Sequence, residues 1–542
     1  GYSLANTYYE IGQVHYAKAE RFAAQGAQDQ AMDAYGAALS SYSTQLEDHP
    51  EAAFDMAARF NAALCRQMIG GDTQDEAIEG FSQIIAEDPD GPYAISSQFQ
   101  LARIQLGQGQ HDEATTTYSQ IIAATSDSNH LDVAHFELGL VRAQAKDLTQ
   151  AAEHLLQVRQ GAPQYSLSRL EAARSFVSLA DFDQALSVLR QGMDVAQSDS
   201  EKAQYWYLTG KAHVGKQDYS NAIDAFSNTL RVSSDPLLQE IARYDRGTSY
   251  TRLEMYAEAV EDLKLLTASE NERIRGAVQR MLGMAYLRLN DQQEALRSYS
   301  ELAATSQNLS ERADYLILIV ELYMELEQYD EAVSTGRQIL ALDLGDDKGG
   351  REYSVREQTH FLIAESLHSS GNYEDAVSAY IEGLSRYPDS FYSPDMSYAL
   401  GTLYFQMDRL DEAADTLTDF VARFGDSPNA LYGLYYLGYA HFSLRDFDKS
   451  RDVFADLSER FPDSEVAAEA MMRVAESAFN LSEFDLVIGV YKDVLTAYPD
   501  APFLDEATYN MAWAHYEAQN EEEFISGLRR LLNGFPKSEF AP

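Results

Sequence analysis

The stretch YPDSFYSPDMSYALGTLYFQMDRLDEAADTL, Tyr387 to Leu417, decides the fold. Pro388 stops the helix before it, because proline disfavours α geometry at the preceding residue, and Asp389 or Ser390 can then cap the helix that follows. Gly401 is a small residue inside an otherwise apolar and aromatic run, and Ala413, twelve positions on, is a second one in an acidic context. Small residues at matched places on two consecutive helices let the two backbones approach closely. The stretch therefore predicts a helical hairpin bounded by a break.

Outward from this stretch the same marks recur along the chain. The second marker is found at Ala31, Ala77, Ala114, Ala151, Ala185, Ala222, Ala259, Ala295, Ala332, Ala376, Ala413, Ser450, Val487 and Phe524, mostly at intervals of 37 residues. Twelve residues ahead of most of them stands a small residue such as Gly139, Gly210, Gly247, Gly283, Gly401, Gly438, Ala475 or Ala512, with Cys65 and Val320 as larger members. An aromatic follows the intervening turn (Phe182, Tyr219, Tyr373, Phe447, Phe484), and a large residue often lies four after the marker (Phe81, Tyr118, Phe226, Tyr299, Tyr380, Phe454, Tyr491). Spacings of three and four put these side chains on one helical stripe. A period of this length is the signature of stacked supersecondary units that cannot bury their apolar faces alone.

These residues resemble the tetratricopeptide repeat family, in which a small residue, an aromatic, an alanine and a closing proline follow in this order. The resemblance implies an all-α fold, a right-handed α-solenoid of about 14 hairpins, and a protein-binding scaffold. The 37-residue unit and the phrase at Tyr387 to Leu417 are similar to bacterial cell-envelope members of the family, among them the outer-membrane barrel-assembly lipoprotein. That likeness implies a periplasmic or envelope-associated setting, with a cytoplasmic one as the alternative.

Bulk properties narrow the partner. A formal charge of -45 over 542 residues argues against a nucleic-acid backbone or an anionic lipid surface as the main ligand. It suits basic partners or divalent cations, or it reflects solubility or a saline habitat. Cys65 is the single cysteine, which excludes an intrachain disulfide and a cysteine-based zinc site. No apolar run approaches the ~20 residues that span a bilayer, so no direct membrane insertion is expected. The chain ends on FPKSEFAP, the phrase that elsewhere opens another hairpin, which predicts a parent protein that continues.

Two breaks depart from the period. The first unit carries about seven extra residues within Glu20 to Gln30, and a second excess lies in the loop Ala341 to Glu357. Asp343, Asp346 and Asp347 there do not match the EF-hand spacing, and Gly345, Gly349 and Gly350 suggest a joint. The expected division is an N-terminal arm over 1–342, a joint over 343–356 and a C-terminal arm over 357–542.

In such a stack the first helix of every pair lines the concave face. Side chains three before, one after and four after the small position should face it. In the last four repeats these are Tyr398 and Phe405; Tyr435, Tyr439 and Phe442; Met472 and Phe479; Tyr509, Trp513 and Tyr516. Core packing has its own aromatics, including Tyr404, Phe447, Phe454, Phe484 and Tyr491, so a second stripe predicts a binding groove; the alternative is burial of the stripe between neighbours. Asp395, Glu469, Glu476, Glu506 and Glu517 would ring the groove and favour a protein or peptide with apolar anchors and Lys or Arg. Earlier repeats place Tyr244, Met284, Ile317 and Glu321 at these positions.

A search for chemistry finds no GxSxG, HExxH or GxxxxGK[ST] motif, and His360 and His368 stand two turns apart with no carboxylate motif. No catalytic residue, cofactor or metal ligand is expected. The remaining alternatives are a structural spacer in a larger complex, or a regulatory segment of a longer protein with an enzyme elsewhere.

Overall fold

A computed structural model describes residues 4–50, 54–345 and 353–541. Contacts divide the chain into two compact units, Gly1–Met281 and Leu282–Pro542, which part within the helix Glu272–Arg288. Among the described residues there are 28 α-helices and no strand, and taken in order they form fourteen hairpins. Both units are built as helical solenoids in which helices pack mainly on their neighbours in sequence.

Why the hairpins close is visible at the small positions. A methyl group added to Gly210 would sit 2.4 Å from the Phe226 ring, and one on Gly438 2.7 Å from Phe454. The same close approach joins Gly139 to Leu155, Gly283 to Tyr299 and Gly401 to Leu417. Each pair is sixteen residues apart, a small residue on the first helix receiving a large one from the second. Phe226, Phe454, Leu155 and Leu417 are all fully buried, so the missing side chain on one helix is the space filled by the other.

The turn inside each hairpin has its own rule. Five residues before the marker the backbone takes a left-handed conformation, with Gly26, Gly109 and Gly371 in three hairpins and Lys146, Ala180, Gln217, Glu254, Asn290, Glu327, Asp408, Arg445, Ser482 and Gln519 in ten others; the second hairpin places it instead at Gly70 and Gly71. This is the residue that ends a helix by turning its next N–H groups back onto free carbonyls. Ala180 N–H bonds to Val177 O, and Asp181 N–H to Phe176 O. Asp181 then caps the second helix by accepting from the Gln184 N–H.

The first hairpin departs from the rest. Its helices Leu4–Ala24 and Gln28–Asp48 each run 21 residues, where 14 is usual in the later hairpins, and Gly12 packs against Tyr42. Cys65 is buried in the cluster that follows, beside Ala58 and Ala62, and burial pushes its thiol up to about 12.

Asp346, Asp347, Gly349 and Gly350 of the expected joint lie outside the described residues. The helices that flank it, Tyr329–Leu340 and Val355–Ser369, pack directly on each other, with Gly336 against Ile363 and Thr359. Arg356 ties the loop's near end down by donating to Leu342 O at 3.2 Å and Gly345 O at 3.3 Å.

Next-but-one packing joins first helices to first helices: Tyr165–Ser178 to Asp199–Gly215, Leu309–Glu325 to Val355–Ser369, and Ser393–Gln406 to Ala430–Ser443. First helices therefore crowd together and form the inner wall of each unit. Among the described residues no helix is long and apolar enough to cross a membrane.

Candidate functional site

The ten expected groove residues fall into two classes. Those three before the small position are largely taken up in joining one hairpin to the next. Met472 is 3% exposed and lies in the core cluster against which Phe503, leading into the following hairpin, also packs. This corrects the expectation that Met472 faces a groove. Tyr509 is stacked on Phe540, with ring centroids 5.1 Å apart, just as Phe361 is stacked on Tyr392 at 5.0 Å and Tyr9 on Phe54 at 5.0 Å. Ile317 is buried at the same position. Tyr398 packs on Phe420, and Tyr435 packs edge-on against Tyr439 at 4.8 Å.

Positions one and four after the small residue behave differently. Phe479 and Trp513 are each 37% exposed and Tyr516 is 45% exposed, as is Met284 at the corresponding place in an earlier repeat (44%). Phe405 is half-buried edge-on against Tyr436, at 5.5 Å. A second-helix aromatic props the ring above it: Phe447 under Phe442 and Phe484 under Phe479, each just after its turn, and the marker residue Phe524 under both Trp513 and Tyr516, at 5.1–5.5 Å. Edge-on and tilted support of this kind fixes the rings without covering their outer faces.

Three of these rings meet. Phe442 from Ala430–Ser443, Phe479 from Ala467–Asn480 and Trp513 from Leu504–Glu517 line one cavity of about 320 Å³, together with Glu476, Asn480, Tyr491 and Asn510. The helices are consecutive first helices, so the cavity spans three hairpins of the second unit.

A polar network borders it. The Tyr439 and Tyr435 hydroxyls donate to the Glu469 carboxylate at 2.5 and 3.2 Å. The Arg473 guanidinium lies 5.6 Å from the centre of the Tyr439 ring and forms an ion pair with Glu476. Burial, reinforced by Glu506 and Glu469 and opposed by Arg473, raises the Glu476 carboxyl above its ordinary value. Burial likewise raises Asp395, against a 2.8 Å hydrogen bond from Asn429. Burial and the bond to Glu469 push the Tyr439 phenol well up, so it remains a donor.

Sequence spacing placed Phe442, Phe479 and Trp513 on one face and named Glu476 among the acidic neighbours. It missed Arg473, Asn480 and Asn510. The signal for Asn480 and Asn510 was their position, five after and two before a small residue, beside the exposed rings. Among the described residues, no group of three or more His, Cys, Asp or Glu is arranged to hold a metal ion.

Comparison with known families adds what geometry alone does not. A tetratricopeptide repeat-like domain matches residues 47–165, and a tetratricopeptide repeat matches 170–236 and 280–347. The chain belongs to the tetratricopeptide repeat family. A third family, described as outer membrane lipoprotein, matches residues 355–491 of this tetratricopeptide chain and so takes in Phe442, Glu476 and Phe479. Crystal structures of MamA are similar at 19% identity, one covering 33% of this tetratricopeptide chain and 92% of its own with a TM-score of 0.28, another covering 32% and 95% with a TM-score of 0.27. A MamA mutant is similar at 21% identity, covering 32% and 97%, with a TM-score of 0.28. No curated protein matches the chain.

Proposed function

We propose that this chain is a non-catalytic scaffold that binds a protein or peptide along the inner wall of its first helices, with Phe442, Phe479, Trp513 and Tyr516 as apolar anchors. One observation carries the reading. Three aromatic rings from three consecutive hairpins converge on a single cavity, although the same hairpins already share a buried core made of other side chains. Exposed aromatic clusters with one face open mark docking sites, because a partner removes apolar area from water without disturbing the fold. Tetratricopeptide proteins bind proteins or peptides, in keeping with this role.

The proposed setting is a bacterial envelope assembly. Support for it comes from the outer membrane lipoprotein family that matches residues 355–491. Basic partners fit a chain with 86 acidic and 41 basic residues.

Crosslinking mass spectrometry in the native cells tests both statements at once. Crosslinks from a partner should fall on the helices Ala467–Asn480 and Leu504–Glu517. They should disappear in a Trp513→Ala, Tyr516→Ala double variant whose melting is unchanged. The spacer reading draws on the burial of Met472 and the stacking of Tyr509, which spend two of the ten candidates on hairpin packing. Capture of the same partner by wild type and double variant alike would favour it.

A further inference from the structure

We propose that the cavity between Phe442, Phe479 and Trp513 is a pocket for a single basic side chain of the partner, an arginine. The inference rests on the reading of this wall as a binding surface and says what the surface selects. Apolar walls alone would accept any hydrophobic anchor. This pocket is different because polar residues share its lining with the rings: Glu476, Asn480, Asn510 and Tyr491.

Charge decides between the possible occupants. Glu469 and Glu506 both act on Glu476, and Arg473 is the cation paired with it, so three carboxylates face one guanidinium. Burial is the main reason the Glu476 carboxyl stands above its ordinary value, and a carboxylate taken out of water is stabilised by a further cation placed beside it. An acidic side chain would add to this repulsion. A purely apolar one would strip water from Glu476 and the two asparagine amides and give nothing back.

A guanidinium satisfies both demands. Its flat face stacks on aromatic rings, and its edge carries five N–H donors for carboxylate and amide oxygens. The protein already builds this arrangement beside the pocket: Arg473 lies over the Tyr439 ring while its edge pairs with the Glu476 carboxylate. A partner arginine between Phe479 and Trp513 would repeat it from outside. Lysine is a poorer fit, since a compact ammonium cannot lie flat between the rings.

The test uses the full chain with Trp206→Phe, which leaves Trp513 as the single tryptophan and the fluorescence reporter. The probes are N-acetyl-Phe-Arg-Phe-amide and the same peptide with citrulline, which keeps the shape of arginine and loses its charge. The arginine peptide should quench or shift Trp513 emission with ~10-fold higher affinity than the citrulline peptide, as expected for a charge-assisted contact. The gap should narrow at 1 M salt and in Glu476→Gln. Equal affinity of the two peptides would overturn the arginine pocket while leaving the wall as an apolar docking surface. If neither peptide perturbs Trp513, the binding-surface reading falls with it. Should Glu476→Gln fail to fold, the citrulline comparison and the salt dependence still decide.

Discussion

The Tyr439 hydroxyl on one first helix donates a 2.5 Å hydrogen bond to Glu469 on the next, and Arg473 covers the same tyrosine ring from that second helix. Two hairpins are thus latched by a phenol, a carboxylate and a guanidinium. Bonds to charged acceptors contribute about 1.5–3 kcal/mol, and Tyr435 still serves Glu469 when Tyr439 is lost. Tyr439→Phe should therefore lower stability by about 1–2 kcal/mol in urea unfolding. A loss below about 0.3 kcal/mol would show that the latch is ornamental.

Gly438 and Phe454 test the pairing of small and large residues. A valine at position 438 meets the buried ring at once and should cost about 1–3 kcal/mol, the usual penalty of overpacking. Adding Phe454→Leu should recover at least half of it, since the second change vacates the space the first one needs. Urea unfolding of the two single variants and the double gives the coupling directly. Additive effects would mean that the clash is relieved elsewhere.

The left-handed turns make a prediction of opposite sign at two sites. Ala180 takes φ +59°, where a side chain is strained, and Gly371 takes φ +80°, where it would be. Ala180→Gly should be neutral to stabilising, by up to about 1 kcal/mol, once the greater freedom of glycine in the unfolded chain is counted. Gly371→Ala should destabilise by about 1 kcal/mol. Chemical denaturation of both variants checks the pair.

Acid should loosen the fourth hairpin. His135 on Ser128–Gln144 and His154 on Leu148–Gln157 face each other with Nδ1 atoms 3.2 Å apart. Burial lowers both pKa values, helped by His154 acting on His135 and by Arg142 acting on His154, while Asp132, Asp147 and Glu153 pull the other way. The folded state thus holds these protons less tightly than the unfolded chain. Stability from the pair is then complete above about pH 7 and falls as the pH drops through the unfolded value near 6.5. A His135→Gln, His154→Gln variant should lose less stability between pH 7.5 and 5 than the wild type, measured by urea unfolding at each pH. Equal losses would place the acid sensitivity elsewhere, for example at His360 or His441, which burial also lowers.

The repeat was legible because packing imposes it. A hairpin closes only where one helix offers a gap and the other fills it, so Gly210 and Phe226, or Gly438 and Phe454, are written sixteen residues apart wherever the unit recurs. The exposed aromatic face was legible only in part. Periodicity fixes the direction in which Met472 or Tyr509 leaves its helix, but whether it meets water depends on what arrives from the next hairpin. Phe503 and Phe540 arrive there, and no spacing within one helix contains that information. Arg473, Asn480 and Asn510 escaped because single polar residues on an acidic surface carry no periodic mark.

The cavity draws its walls from Ala430–Ser443, Ala467–Asn480 and Leu504–Glu517 at once. In an array held together by nearest-neighbour contacts, fraying at one end is local, and anything bound to three adjacent units must be shed before any of them can open. An occupant would act as a splint. Its binding free energy would appear as slowed amide exchange across those three rungs, fading within a repeat on the N-terminal side.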